Sequence, residues 1–224
     1  MAQPWNTLDK VGSAEGVLEL RQRGERDFLI LKDGLVLMNS SANRSEQALG
    51  RLACAAVAGR DAPQVMVGGL GMGLTLRAAL DALPPEAVIV VVELNPVVVR
   101  WCRGPLAELT GGAVDDPRVS IVTADVAKVI ARSAEDTTRR FDAIIIDLYE
   151  GPGSGTDAVK DPFYGSRALA RTREGLTPGG VFAVWGEQPD GGFEKRLATA
   201  GFRFDRLRPG KGGMRHVVYI ATRL

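Results

Sequence analysis

Apolar residues recur with two different periods along this chain, and the change of period marks its organisation. Val17, Leu18, Glu19, Leu20 and Arg21 alternate, Gly24 marks a turn, and Phe28, Leu29, Ile30 and Leu31 follow. Asp33-Gly34 stands before Leu35, Val36, Leu37 and Met38, a strong hairpin signal because a tight two-residue turn needs positive φ at its centre. Residues 15–45 therefore read as a small antiparallel β-hairpin appendage, behind a loose arm over 1–14 that shows no period. After a polar bridge, Ala48, Leu49, Leu52, Ala53 and Ala56 recur at helical spacing. From residue 65 onward, β-branched runs at 65–67, 88–93, 119–122, 141–147 and 181–185 alternate with helical stretches at 74–82, 96–109, 126–130 and 162–174. A helix at 193–200 and two strands near 202–207 and 216–222, an antiparallel hairpin, close the chain. This order predicts an α/β fold over 46–224: a doubly wound, Rossmann-like sheet with right-handed crossovers. The run at 141–147 is nearly all apolar, as a central parallel strand should be.

Composition narrows the partners. The 224 residues are 45% hydrophobic and 25% charged, enough to bury a sizeable core in one large domain. A formal net charge of +1 gives no global attraction to nucleic acid or to an anionic membrane, so neither is expected as a partner. Cys54 and Cys102 have no metal-like spacing and do not make a disulfide framework, which points to a reduced cytoplasm. No charged n-region precedes an apolar core, and no run approaches about 18 apolar residues, so no export signal or membrane span is expected. The single histidine, His216, falls in the closing hairpin and reads as structural or exposed; no His/Cys cluster argues for a metal.

The chemistry concentrates after the apolar run at 65–67. Gly68, Gly69, Gly71 and Gly73 open a helix, but a dinucleotide fingerprint fails because Leu74 and Leu76 stand where the third glycine belongs. A triphosphate loop fails because no Gly-Lys-Ser/Thr is present. The surviving pattern is Gly69-Leu70-Gly71-Met72-Gly73. Glu93 ends the next strand, and its two oxygens suit both hydroxyls of a ribose. Asp125 and Asp147 follow the third and fourth strands; Asp125 suits an adenine amino group and Asp147 a cationic ligand head. Taken singly, each acid is also a good helix N-cap or turn residue. An adenosine sulfonium fits the set, being cationic and free of phosphate. The cofactor-binding candidates are Gly69, Leu70, Gly71, Gly73, Glu93, Leu94, Asp125, Val126 and Asp147. Asp147 and Glu150 are the candidates for acceptor binding and general base, with Tyr149 as an orienting hydroxyl. Trp5, Trp101, Trp185, Tyr149 and Phe163 are candidates for either pocket or core. Gly151, Gly153 and Gly155 in the polar loop 148–161 suit a mobile lid or a plain connector.

With these residues in view, the stretch 17–185 resembles the spermidine synthase-like group of class I S-adenosylmethionine-dependent transferases. The resemblance rests on the β hairpins with Asp33-Gly34, the glycine loop, Glu93-Leu94-Asn95-Pro96, Asp115-Asp116-Pro117-Arg118-Val119, Ala124-Asp125, Asp161-Pro162-Phe163-Tyr164 and Leu176-Thr177-Pro178-Gly179-Gly180-Val181. It implies the methyltransferase-type Rossmann sheet, Glu93 and Asp125 on ribose and adenine, Asp147 and the residue three later beside an amine acceptor, and a homodimer. Three motifs depart from the group. Its Asp-Ser-Ser/Thr-Asp-Pro is here Asp147-Leu148-Tyr149-Glu150-Gly151-Pro152; its glycine loop carries an Asp that is absent here; and its Tyr-His-Glu is replaced by Ser45-Glu46-Gln47. Losing an acid from the loop removes a clash with the carboxylate of ordinary S-adenosylmethionine. The leading expectation is therefore methyl transfer from S-adenosylmethionine to a small-molecule acceptor. The alternatives are a polyamine aminopropyltransferase using decarboxylated S-adenosylmethionine, and a non-catalytic nucleoside-binding module.

Overall fold

A computed structural model describes residues 3–13, 16–149, 151–153, 155–209 and 216–224. Strands β1 (Asn6–Ser13), β2 (Gly16–Arg23), β3 (Asp27–Lys32) and β4 (Leu35–Asn39) form an antiparallel meander in that order. Asp33 and Gly34 take φ of 50° and 83°, as the hairpin signal requires, and the Asp33 carboxylate accepts from the Val17 N–H at 2.8 Å.

The arm expected over 1–14 is instead largely strand. Most side chains of β1 face solvent, so no apolar alternation announces it. Polar contacts hold it: Thr7 donates to Glu19 at 2.6 Å, while Asp9 accepts from Trp101 Nε1 at 2.8 Å and from Arg100 at 2.6 Å.

The larger sheet contains β5 (Gln64–Gly68), β6 (Val88–Glu93), β7 (Val119–Thr123), β8 (Phe141–Ile146), β9 (Leu176–Gly186), β10 (Phe202–Leu207) and β11 (Val217–Arg223). Their order is β10-β11-β9-β8-β5-β6-β7. Strands β5 to β9 pair in parallel, and β11 and β10 are added antiparallel. All six residues of β8 are buried, in keeping with its central place. Helices α1 (Arg44–Ala55), α2 (Leu74–Ala82), α3 (Pro96–Arg103), α4 (Ala107–Thr110), α5 (Val126–Glu135), α6 (Ser166–Gly175) and α7 (Gly191–Thr199) complete the chain. One core layer joins the meander, α1, α2 and α3 to one face of the sheet through Leu20, Leu49, Leu76 and Trp101. The other packs α5, α6 and α7 on the opposite face through Ile130, Leu169 and Phe193.

Two helix boundaries differ from expectation for local reasons. The helix expected over 96–109 divides into α3 and α4 at Gly104-Pro105, since proline has no N–H to continue the ladder. The helix expected from Pro162 begins at Ser166; before it, Asp161 Oδ1 accepts from the N–H groups of Phe163 and Tyr164 at 2.9 and 2.7 Å and closes a turn.

The chain runs outward from β5 through β6 to β7, then returns to place β8 on the other side of β5. This is the switch point at which an open parallel sheet leaves a crevice beyond its carboxyl ends. The floor of the crevice is main chain: Asp147 N–H donates to Gly68 O, and Gly69 N–H to Val92 O, both at 2.9 Å.

Candidate active site

The crevice opens into a cleft of about 500 Å³ between the sheet's carboxyl edge and the meander. Its first half is built from the segment that joins β5 to β6. Gly69 (φ 90°) and Gly71 (φ 52°) line it, and both need to be glycine. A Cβ on Gly69 would stand 2.3 Å from the Asp147 carbonyl oxygen, and one on Gly71 2.5 Å from Met38 Sδ. Glu93, only 8% exposed, accepts from Leu70 N–H at 2.9 Å through Oε2 and from Asn95 N–H at 2.8 Å through Oε1. Each carboxylate oxygen offers two lone pairs, so the pair stays fixed in place and can still accept from a diol.

The remaining candidates of this half lie outside the cleft lining. Asp125 is the N-cap of α5, its Oδ1 accepting from Ala127 N–H at 2.8 Å. Val126 is buried beneath the loop, where a Cβ on Gly68 would meet its Cγ1 at 2.8 Å. Leu70 is buried, and Leu94 is 45% exposed. Cys102 Sγ donates to the Gly71 carbonyl at 3.3 Å; burial, then the nearby Glu93 charge, pushes this thiol up to about 12.

The second half is made by side chains from six separated segments. Asp147 leaves β8 and meets Thr75 of α2, whose Oγ1 lies 2.5 Å from Asp147 Oδ2 and 3.2 Å from the Glu46 carbonyl oxygen. Burial pushes the Asp147 carboxyl from 3.8 up to about 7; the Thr75 hydrogen bond opposes this, and the Glu46 charge adds a smaller push in the same direction as burial. Glu46, Lys32, Glu187, Trp185 and His216 join Asp147 around this end of the cleft. Tyr149 also lines it and is 48% exposed. Glu150 lies outside the described residues. Trp185 lines the cleft, and its Nε1 is buried without a hydrogen-bond partner among the described residues. Of the aromatic candidates, Trp185 and Tyr149 reach the cleft, whereas Trp101 is core.

Glu46, Glu187, Thr75 and His216 were not singled out from the pattern. Only two signals pointed that way: Ser45-Glu46-Gln47 standing where the related group has Tyr-His-Glu, and the solitary histidine. Among the described residues, no three His, Cys, Asp or Glu side chains group as metal ligands, and no helix is long and apolar enough to cross a membrane.

A glycine loop with positive φ and a fixed carboxylate at the end of the neighbouring strand sit where a Rossmann-like sheet binds its ligand, beside an acid-lined second chamber. The spermine/spermidine synthase domain profile matches residues 56–191. The chain belongs to the spermine/spermidine synthase family. It is 34% identical over 128 residues to a polyamine aminopropyltransferase of Mycobacterium tuberculosis, a match covering 57% of this chain and 23% of that protein. It is 35% identical over 129 residues to that of a Ruegeria species, covering 57% and 44%. The match therefore spans less than half the length of either curated relative. The spermidine synthase from Thermotoga maritima superposes with a TM-score of 0.75 at 19% identity, over 97% of this chain and 73% of that one. A spermidine synthase in complex with the transition-state analogue AdoDATO gives 0.73 at 19%, over 97% and 72%.

These matches overturn the expectation of methyl transfer, since the relatives are named for aminopropyl transfer. The physical reason lies in the second half of the cleft. The acid missing from the glycine loop made a carboxylated ligand look acceptable, but Glu46, Asp147 and Glu187 bring negative charge to the same cleft from other elements.

Proposed function

We propose that this cleft transfers an aminopropyl group from decarboxylated S-adenosylmethionine to a primary amine of a cationic, polyamine-type acceptor. One observation carries the reading. Glu46, Glu93, Asp147 and Glu187 line the cleft against a single lysine, Lys32, among the described residues. Such a chamber favours cations and repels a carboxylate.

In this reading Gly69 and Gly71 let the main chain approach the nucleoside, with Leu70 and Gly73 shaping the turn, and Glu93 accepts from the ribose hydroxyls. Leu94, Asp125 and Val126, which follow β6 and β7 just beyond the cleft lining, are the residues assigned to the adenine end. Asp147, assisted by Glu46 and Glu187, holds the acceptor's ammonium, and Tyr149 and Glu150 sit next to it along the chain. An ammonium beside Asp147 favours the ionised carboxylate, so acceptor binding releases a proton near neutral pH. The sulfonium is already an activated leaving group; the protein's task is to align the amine and free its lone pair. Both cysteines are buried free thiols, which supports a reducing compartment such as the cytoplasm. A homodimer is part of the proposal through the family alone.

The test is turnover. Purified protein is mixed with decarboxylated S-adenosylmethionine and a panel of diamines and longer polyamines, and methylthioadenosine and the N-aminopropyl product are measured by mass spectrometry. Stoichiometric appearance of both supports the proposal. Absence of both, with every acceptor, overturns it.

A further inference from the structure

The only histidine of the chain stands immediately before β11, on the wall of the cleft with Trp185 and Glu187. Its ring meets Trp185 edge-on at 4.8 Å between centroids, and Nδ1 lies 3.1 Å from Ser45 Oγ, on α1. Ser45 is only 4% exposed, and its Oγ donates to Glu46 Oε2 at 2.7 Å. An ionised carboxylate has no hydrogen to give, so Ser45 spends its one proton there. The contact with the ring must then be made by the ring's own hydrogen, Nδ1–H donating to Ser45 Oγ. A neutral imidazole carries one N–H, which leaves Nε2 as a bare lone pair. Among the described residues Nε2 has no hydrogen-bond partner.

Resting on the aminopropyl-transfer reading, we infer that His216 is the group that takes the proton from the attacking amine. A free alkylamine is protonated at neutral pH, with a pKa near that of lysine at about 10, and its lone pair is blocked. The bound ammonium gives a proton to His216 Nε2. The freed pair forms a C–N bond at the aminopropyl carbon attached to sulfur. The C–S bond breaks with its electrons passing to sulfur, leaving a neutral thioether, and the product nitrogen carries the positive charge as a secondary ammonium. The imidazolium returns its proton to water in the open cleft. The titratable and charged groups that share the cleft with the ring are Glu46, joined to it through Ser45 of α1, Asp147 and Tyr149 after β8, Glu187 after β9, and Lys32 of β3. Ser45 and Glu46 are positioning residues: they fix the tautomer that presents a base.

A solitary histidine makes the tautomer directly measurable, because the ring contributes a single pair of ¹⁵N signals. The expected spectrum of the neutral ring is Nδ1–H, changing toward Nε2–H in Ser45→Ala. An Nε2–H ring in the unaltered protein overturns the inference, and this reading needs no turnover. In the activity assay, His216→Gln keeps a polar side chain but accepts no proton. Its kcat should fall about 100-fold with little change in acceptor KM, and the loss of rate on the acid side should disappear. Added imidazole should partly restore His216→Ala, which a purely structural role would not allow. An active unaltered protein whose rate and pH profile survive in His216→Gln overturns this inference alone. An inactive unaltered protein overturns the aminopropyl reading and the role of His216 with it.

Discussion

The two halves of the cleft are built differently. The glycine-loop half comes from one local segment, from Gly69 to Asn95, and is shaped by main-chain geometry: positive φ at Gly69 and Gly71, and two N–H groups fixing Glu93. The acid-lined half is assembled from distant side chains, brought from β3, α1, α2, the residue after β8, the end of β9 and the start of β11. A local, main-chain site tolerates little change, because each position has a steric reason. A site assembled from distant side chains can be re-equipped one residue at a time. The chain's departures at the glycine-loop acid and at Ser45-Glu46-Gln47 change side-chain charge, while Gly69 and Gly71 keep the positive φ that the loop needs.

If this contrast is right, substitutions in the first half should abolish binding and those in the second should tune it. Glu93→Ala removes two charge-assisted bonds and the diol acceptor, and should weaken methylthioadenosine affinity by roughly 4 kcal/mol, about 1,000-fold, read by calorimetry. Gly69→Ala forces a Cβ into the Asp147 carbonyl at positive φ and should cost about 3 kcal/mol of unfolding free energy, visible in urea melts. Asp147→Asn should raise the acceptor KM about tenfold while leaving methylthioadenosine affinity within about twofold.

The same variant carries a signed pH effect. The Asp147 carboxyl is raised from 3.8 to about 7 in the folded state, so the fold binds its proton more tightly than the unfolded chain does. Stability is therefore lost as pH rises between those values. Asn cannot ionise, and the Tm of Asp147→Asn relative to the parent should climb from pH 4 to pH 8; an unchanging difference would contradict the burial of this carboxyl. Glu187→Gln, at an exposed position, should change acceptor KM only about twofold, and less at high salt.

Most of the fold was legible in the sequence because period and glycine placement are local properties. Alternation revealed β2, continuous apolar runs revealed β3 and β8, and Asp33-Gly34 revealed the turn. Strand β1 was not legible, since it pairs through backbone and polar side chains and buries almost nothing. In the site, Gly69, Gly71, Glu93, Asp147 and Tyr149 all line the cleft, whereas Asp125 serves α5 as its cap and Val126 packs under Gly68. Such roles depend on which way a side chain turns at a strand end. Glu46 and His216 were beyond reach for a different reason: 170 residues separate them, and only the packing of β11 beside β9 and of α1 against both brings the two together.

The buried thiols have a practical corollary. Cys54 and Cys102 are held at about 12, so at neutral pH almost none of either is in the reactive anionic form. The protein thus offers a silent background for covalent labelling. A single cysteine introduced in place of exposed Val159 would be the only fast-reacting sulfur. A fluorophore there would report any change in the surroundings of Val159 as each substrate is added, without any native residue having to be removed first.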